Sequence, residues 1–388
     1  MPEAVIVAAG RSPIGRAGKG SLVEVRSDEL AAHVVGTVLD QVAQLDRGEI
    51  EDLICGCAHP GGEQGFNIAR NIAVLAGMNL PGTTITRYCS SSLQTTRMAA
   101  HAILSGEGEV FLSVGVESVS RLTAFGHPNI PACRNPRLLP GNGESLADAY
   151  IAMGQTAENV AAREEISREE MDQFALRSQQ RAVAAQDDGF FAREIVPVAL
   201  PNGDTFTKDD GPRRGTSLEA LAALQPAFRE NGKVTAGNSC PLNDGAAALV
   251  VMSDRRAREL GLEPLARIVS TGLTALEPEY MGLGPIEASR QALRRAGMSI
   301  DDVDVVEINE AFAAQVIPSA RALGVDPFDD KLNPHGGAIA LGHPFGMTGA
   351  RITCTLLNDL RTADRTIGLE TMCVGGGMGM AMILERLN

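Results

Sequence analysis

Three residues of this chain have types and settings suited to chemistry: Cys89 in YCSSSLQTTRMA, His343 in GHPFGMTGAR and Cys373 in TMCVGGGMGM. Cys89 follows a strand-like stretch and opens a helical one, so its sulfur faces free backbone N–H groups and the positive end of a helix dipole. Such a setting lowers a thiol pKa and favours the nucleophilic thiolate, whereas a structural cysteine there would simply be buried. His343 stands in a turn forced by Gly342, Pro344 and Gly346, ahead of a helix beginning near Met347. The glycines after Cys373 let a backbone approach a bound group and offer it N–H donors. Two thiols and an imidazole are the parts of a thiol active site.

Other readings of the same motifs fail on context. A dinucleotide fingerprint must open a helix within a βαβ unit and be followed about 20 positions later by an acidic residue. Only the strand-like MAMILERLN follows Gly379. GRSPIGRAGKG is no phosphate loop, because Lys19 is followed by glycine and not by Ser or Thr. In CGCAH, Cys55, Cys57 and His59 lack a nearby fourth ligand for a closed zinc site, so the stretch reads as a buried strand end and no metal is expected. The seven cysteines are scattered and odd in number, unlike a disulfide framework.

A net charge of −14 argues against a nucleic-acid partner, which needs a basic face, although a local basic patch can still hold a small anion. No apolar run approaches the roughly 20 residues of a membrane span. MPEAVIVAAGRSP reads as a strand and turn with no charged-then-apolar leader, which predicts a cytoplasmic protein.

The elements that must hold these residues alternate. AVIVAAG, EDLICGCA, TTITRY and EVFLSVGVES read as strands; the stretch from Ser27, a candidate N-cap, GFNIARNIAVLAG and SSSLQTTRMAAHAILSG read as helices. This predicts βαβ units and a mostly parallel sheet covered on both faces. From about Ser120 to Val234 prolines and charges surround two helical stretches, as in an inserted lobe. Alternation returns with DGAAALVVMSD, and from Ala266 a second α/β stretch repeats the outline of the first. If the halves are duplicates, Cys89 and His343 occupy equivalent helix starts.

With these segments in order, the chain resembles the thiolase family over nearly its whole length: YCSSSLQTTRMA, MGQTAENVA, VTAGNSCPLNDGAAALV, MGLGP, INEAFAAQ, NPHGGAIALGHPFGMTGAR and CVGGGMG all have counterparts. The resemblance implies a five-layered αβαβα fold of two similar halves. Residues 1–120, completed by 236–264, form the N-terminal half; 121–235 form the loop domain; 265–388 form the C-terminal half. It implies an acyl-CoA C-acyltransferase, cleaving 3-ketoacyl-CoA or condensing two acetyl-CoA, that works by a ping-pong route with no permanently bound cofactor. Coenzyme A and acyl-CoA are substrates, and the family forms homodimers and homotetramers. A ketoacyl synthase, or a non-catalytic acyl-CoA-binding relative, is the alternative; Cys373 together with the NEAF of Asn309–Phe312 favours thiolase.

Carried over residue by residue, Cys89 is the nucleophile, His343 its base, and Cys373 the acid or base toward the substrate α-carbon or the CoA thiol. Asn309 with His343 holds one oxyanion; the backbone N–H groups of Cys89 and Gly375 hold the other. Arg213 is expected to meet the CoA phosphates, unless it and adjacent Arg214 are solvated loop charges. Met153 and Phe312 are expected along the pantetheine tunnel and acyl pocket. Two departures stand out. Ser92 replaces a glycine of the nucleophile turn, and Cys240, followed by Pro241, replaces a serine near the thioester. The stretch from Thr123 to Gly143 is the expected place for differences in assembly or specificity.

Overall fold

The computed structural model describes residues 2–125, 134–139 and 147–388; Cys133 and most of the 123–143 stretch lie outside them. The first half runs β1 (Ala4–Arg11), α1 (Ser27–Asp40), β2 (Asp52–Gly56), α2 (Ile68–Leu75), β3 (Gly82–Ile85), α3 (Ser91–Ser105) and β4 (Val110–Ser118). Helices α4 (Met153–Arg163) and α5 (Arg168–Asp187) precede β5 (Asn243–Ser253). The second half comprises β6 (Ala266–Ala275), α6 (Gly284–Ala296), β7 (Val305–Ile308), α7 (Ala313–Leu323), α8 (Thr348–Thr362), β8 (Ile367–Val374) and β9 (Met378–Arg386).

The strands follow the order β3-β2-β4-β5-β1-β6-β9-β8-β7. Each half therefore places its strands third, second, fourth, fifth, first. In the second half the third strand shrinks to a parallel bridge between Leu332 and Val306. The first two pairings of each half are parallel and the next two antiparallel. The expectation of a mostly parallel sheet is thus corrected to a mixed one. Only Val374 to Met378 separates β8 from β9, a turn far too short for the crossover that parallel neighbours require. The halves join through one short antiparallel contact, Val5 with Arg267 and Ile6 with Ala266.

Three apolar cores account for five layers. Helices α1 and α2 cover the outer face of the first half-sheet. Helices α3 and α8 fill the middle. Helices α4 to α7 cover the outer face of the second half-sheet. Strands enclosed on both faces run largely apolar: all eleven residues of β5 are buried, and Gly245 to Met252 carry no polar side chain. Ser27 is not the N-cap expected from sequence: Arg26 holds that position without a side-chain cap, and Ser27 is the first helical residue.

The middle layer positions the site. The first turns of α3 and α8 meet, and Ser92 Oγ accepts the backbone N–H of Ala350 at 2.9 Å. The serine that departs from the family pattern thus satisfies one of the N–H groups left free at the start of α8. The helices approach so closely that a Cβ on Gly349 would collide with the backbone nitrogen of Leu93. Gly349→Ala is therefore expected to destabilise the fold by about 2 kcal/mol through overpacking. Urea unfolding measures it; an unchanged midpoint would mean that the two helices separate freely.

Candidate active site

Cys89 sits at the end of a strained corner. Tyr88 before it has φ +42°, a left-handed conformation unusual for a residue with a side chain. The serines of the same motif brace that corner. Ser91 Oγ accepts the Arg87 N–H at 2.9 Å and donates to the Tyr88 carbonyl at 2.7 Å, while Ser90 Oγ donates to the Arg87 carbonyl at 3.2 Å.

The thiol is buried, and burial dominates its titration, pushing its pKa up to about 11. The N–H groups of Gly375 and of Cys89 itself act the other way, and the Glu117 charge adds to the rise. The expectation that the helix start would lower this pKa is corrected: the favourable N–H groups are present, but loss of water outweighs them. Cys89 rests as a thiol.

His343 is held by both neighbours of its loop. Gly342, at φ +114°, turns the chain against Asn243, whose Oδ1 accepts the His343 N–H at 3.0 Å. Thr348 Oγ1 lies 2.7 Å from Nδ1 and donates its own hydrogen to the Pro344 carbonyl at 2.8 Å. Having given up that hydrogen, Thr348 can only accept from the ring, so Nδ1 carries the proton and Nε2 keeps a lone pair. Asn309 Nδ2 lies 3.3 Å from Nε2. Burial, with the charge of Arg351, lowers the imidazole pKa to about 3, so the ring is neutral.

Asn309 ends β7 and donates its backbone N–H to Thr371 on β8 at 3.0 Å. Two residues along β8, Cys373 is 1% exposed and donates its S–H to Gln315 Oε1 at 3.3 Å. Burial, then the charges of Cys89 and Cys240, raise its pKa well above that of a free thiol. Sulfurs from the beginning, middle and end of the chain therefore form one electrostatically connected group. Gly375 packs into the same crease: a Cβ there would stand 3.5 Å from the Tyr88 ring and 3.7 Å from Met153 Sδ.

A cavity of about 620 Å³ opens beside this group, lined by Arg16, Gln179, Arg213, Phe228, Cys240 and Ile339 among others. Cys89, His343 and Cys373 are not in its wall; Cys240 lies both in that wall and within electrostatic reach of Cys89 and Cys373. Its backbone N–H donates to the Ala311 carbonyl at 3.0 Å, next to a bridge between Ser239 and Phe312. Phe312 packs edge-on against the cavity residue Phe228 with ring centroids 5.8 Å apart. Arg213 lines the cavity, its pKa lowered by burial and by neighbouring Arg16. Arg214 instead forms an exposed ion pair with Asp187. Cys55 and Cys57 are buried in the first core.

Sequence reasoning missed Thr348, Asn243, Gln315 and Glu117. Buried Glu117 accepts N–H groups from Ala58 at 2.8 Å, Gly346 at 2.9 Å and His59 at 3.2 Å, together with the Gln64 amide at 3.1 Å. It fastens the His343 loop to the end of β2. The one available signal was a lone carboxylate near the end of a mostly apolar strand.

Two buried thiols within electrostatic reach of each other, and a neutral imidazole whose Nε2 meets a strand-end asparagine, are side chains of the kind an acyltransferase uses. Residues 4–255 match the thiolase N-terminal domain and 262–386 the thiolase C-terminal domain. The 3-ketoacyl-CoA thiolase of Serratia proteamaculans is 45% identical over 395 residues, covering all of both chains. That of Bacillus subtilis is 43% identical over 399 residues, covering 99% of this chain and all of its own. The crystal structure of the Bacillus anthracis acetyl-CoA acetyltransferase superposes with a TM-score of 0.91 at 40% identity, covering 100% of this chain and 99% of that one. The chain belongs to the thiolase family.

With Cys89 resting as a thiol of pKa about 11, its alkylation by iodoacetamide should rise about tenfold per pH unit between pH 7 and 9, because only the thiolate reacts. Peptide mass spectrometry gives the rate at Cys89. A rate flat between pH 6 and 8 would instead reveal a resting thiolate–imidazolium pair.

Proposed function

We propose that the protein is an acyl-CoA C-acyltransferase that cleaves 3-ketoacyl-CoA with CoA, or condenses two acetyl-CoA, through an S-acyl Cys89 intermediate. The observation that carries this reading is the tautomer of His343: with Nδ1–H held by Thr348, Nε2 is left unprotonated, met only by the weak donor Asn309 Nδ2, in a buried site whose thiol needs a base. In thiolysis, Nε2 takes the Cys89 proton as sulfur attacks the 3-keto carbon. The bond between the α- and β-carbons breaks, and Cys373 donates its proton to the departing α-carbon. The shortened acyl group stays on Cys89, and the first product leaves as acetyl-CoA. Cys373 then takes the proton of incoming CoA, whose sulfur attacks the acyl-enzyme; the Cys89 thioester breaks, Cys89 regains its proton from Nε2, and the shortened acyl-CoA leaves. Condensation is the same path reversed.

Both steps pass through an oxyanion. The N–H groups of Cys89 and Gly375 serve the one that forms on the Cys89 thioester. His343 and Asn309 serve the enolate, with Asn309 Oδ1, buried and lacking a hydrogen-bond partner, suited to hold a water. Each such donor commonly contributes about 3 kcal/mol of barrier lowering. No resident cofactor takes part in this route. CoA enters along the cavity, its phosphates at Arg213 and its pantetheine arm past Met153, Phe312 and Cys240.

We place residues 1–120 with 236–264, 121–235 and 265–388 as the two halves and the loop domain, and assign the enzyme to cytoplasmic fatty-acid metabolism. No helix among the described residues is long and apolar enough to cross a membrane. A homodimer, or a tetramer built from it, fits the edge strand β3, beside which Phe66 is 95% exposed and Val74 and Leu75 are also exposed. An exposed phenylalanine at an open strand edge favours a second copy over water.

Cys89→Ala is expected to abolish thiolysis of acetoacetyl-CoA, and incubation of the unaltered protein with acetyl-CoA should add one acetyl group at Cys89 by mass spectrometry. Full thiolysis by the variant would end the proposal. Arg213→Ala should raise the KM for CoA about tenfold with little change in kcat, the loss of one charge-assisted contact; Arg214→Ala should change neither. Rates over ketoacyl lengths from C4 to C16 would fix the chain-length preference.

A further inference from the structure

Gln315, in the first turn of α7, is the one side chain that hydrogen-bonds the Cys373 thiol among the described residues. Its Oε1 accepts the S–H at 3.3 Å, and its Nε2 donates to Met281 Sδ at 3.4 Å. Gln315 is 2% exposed and Met281 1%. The amide lies in a slot left by Gly282, where a Cβ would collide with its Cγ, Cδ and Nε2. The two ends are held unequally, because a thioether is a weak acceptor. The oxygen is aimed at the reacting thiol, and the nitrogen is only loosely engaged.

In the proposed reaction Cys373 is a thiol in one half and a thiolate in the other. A fixed acceptor favours only the first form and a fixed donor only the second. A primary amide carries both ends, and the last torsion of a glutamine side chain is roughly two-fold. The surroundings offer the thiolate little else. Cys89, ahead of α3, and Cys240, ahead of β5, both disfavour its charge; the Cys373 backbone N–H favours it; His343 is neutral.

We propose that Gln315 is a positioning residue serving both protonation states of Cys373. Its Oε1 accepts S–H from the thiol, and a half-turn of the amide presents Nε2–H to the thiolate, giving up only the weak contact with Met281. The inference rests on the acid–base role given to Cys373 above. Gln315 touches no substrate in this scheme; it sets how readily Cys373 exchanges its proton.

The test replaces Gln315 with methionine, which is close in volume and offers neither end, and with glutamate, which only accepts when ionised. In a Cys89→Ala background, the pH midpoint for iodoacetamide alkylation of Cys373 is read by peptide mass spectrometry. Gln315→Met should raise that midpoint by about one unit, equivalent to a tenfold weaker hold on the thiolate, and Gln315→Glu by at least as much. With Cys89 intact, Gln315→Met should lower thiolysis kcat about tenfold and leave the KM for CoA within about threefold. The Cys89 alkylation rate and the melting temperature should be those of the unaltered protein. An unchanged Cys373 midpoint overturns the proposal, even where kcat falls, since the loss is then merely structural. Because the midpoint needs no turnover, it separates this inference from the reaction assigned to the enzyme: full thiolysis by Cys373→Ala would sink the latter and leave the Gln315 result standing.

Discussion

Desolvation is the constraint on which the site depends. Cys89, Cys240 and Cys373 lie within electrostatic reach of one another, and burial shifts each of them, and His343, toward its neutral form. Charge is therefore scarce at rest and appears only where donors wait for it. The helix start and the Gly375 N–H do not make Cys89 a standing thiolate; they lower the cost of forming one, or of forming the oxyanion that follows. A neutral imidazole is then an asset, since a protonated ring could not accept a proton. The same burial leaves few polar groups around the thiols, and for Cys373 the one side-chain hydrogen bond among the described residues is that to Gln315.

The fold brings these groups together by repetition. Each half orders its strands alike, so each sends one helix into the shared middle layer from an equivalent position. Helices α3 and α8 arrive with their N-terminal ends side by side, one carrying Cys89 ahead of it and the other His343. Glu117 and Ser92 make the junction rigid by satisfying backbone N–H groups of the opposite half, those of Gly346 and Ala350. The Cys373 loop comes from the strand next to β7, which delivers Asn309. Two duplicated half-sheets thus supply four groups that lie far apart along the chain.

Much of this was legible in the sequence, and the missing parts share a cause. Alternation of apolar strands and amphipathic helices identified the elements of the first half and the outline of the second; Cys89, His343 and Cys373 stood out by type and by turn chemistry, while Asn309 and Gly375 came only from the resemblance to thiolases. Strand direction was not legible, because a fully buried strand is equally apolar in either orientation; β5 reads the same whether its neighbours are parallel or antiparallel. The sign of the Cys89 shift was not legible either, since a local motif shows the helix start but not the amount of protein packed over it. Thr348, Gln315 and Glu117 act through contacts with residues remote in sequence or through one hydroxyl in a helix, and no local pattern distinguishes them from ordinary polar residues. Arg213 and Arg214 are adjacent and chemically identical in sequence; only the fold turns one to the cavity and the other to Asp187.

The segment between α5 and β5, proposed above as part of an inserted lobe, is tied to this core by charge as well as by apolar packing. Arg11 of β1 is fully buried and binds Glu194 at 2.6 Å and Asp209 at 2.8 Å, both from the stretch after α5. Glu194 in turn accepts from Thr355 and Asn358 on α8. One strand of the first half, the lobe, and the helix that follows His343 are thereby joined in a single network. Removing such charges from water costs much of what their attraction returns, so the network adds little net stability for its size. What it does fix is geometry, because each guanidinium and carboxylate accepts only a narrow range of partner positions. The lobe that carries Arg213 and half of the cavity wall is held in register with α8, and so with the imidazole at the head of that helix. An apolar contact of the same area would bind as well and slide more easily.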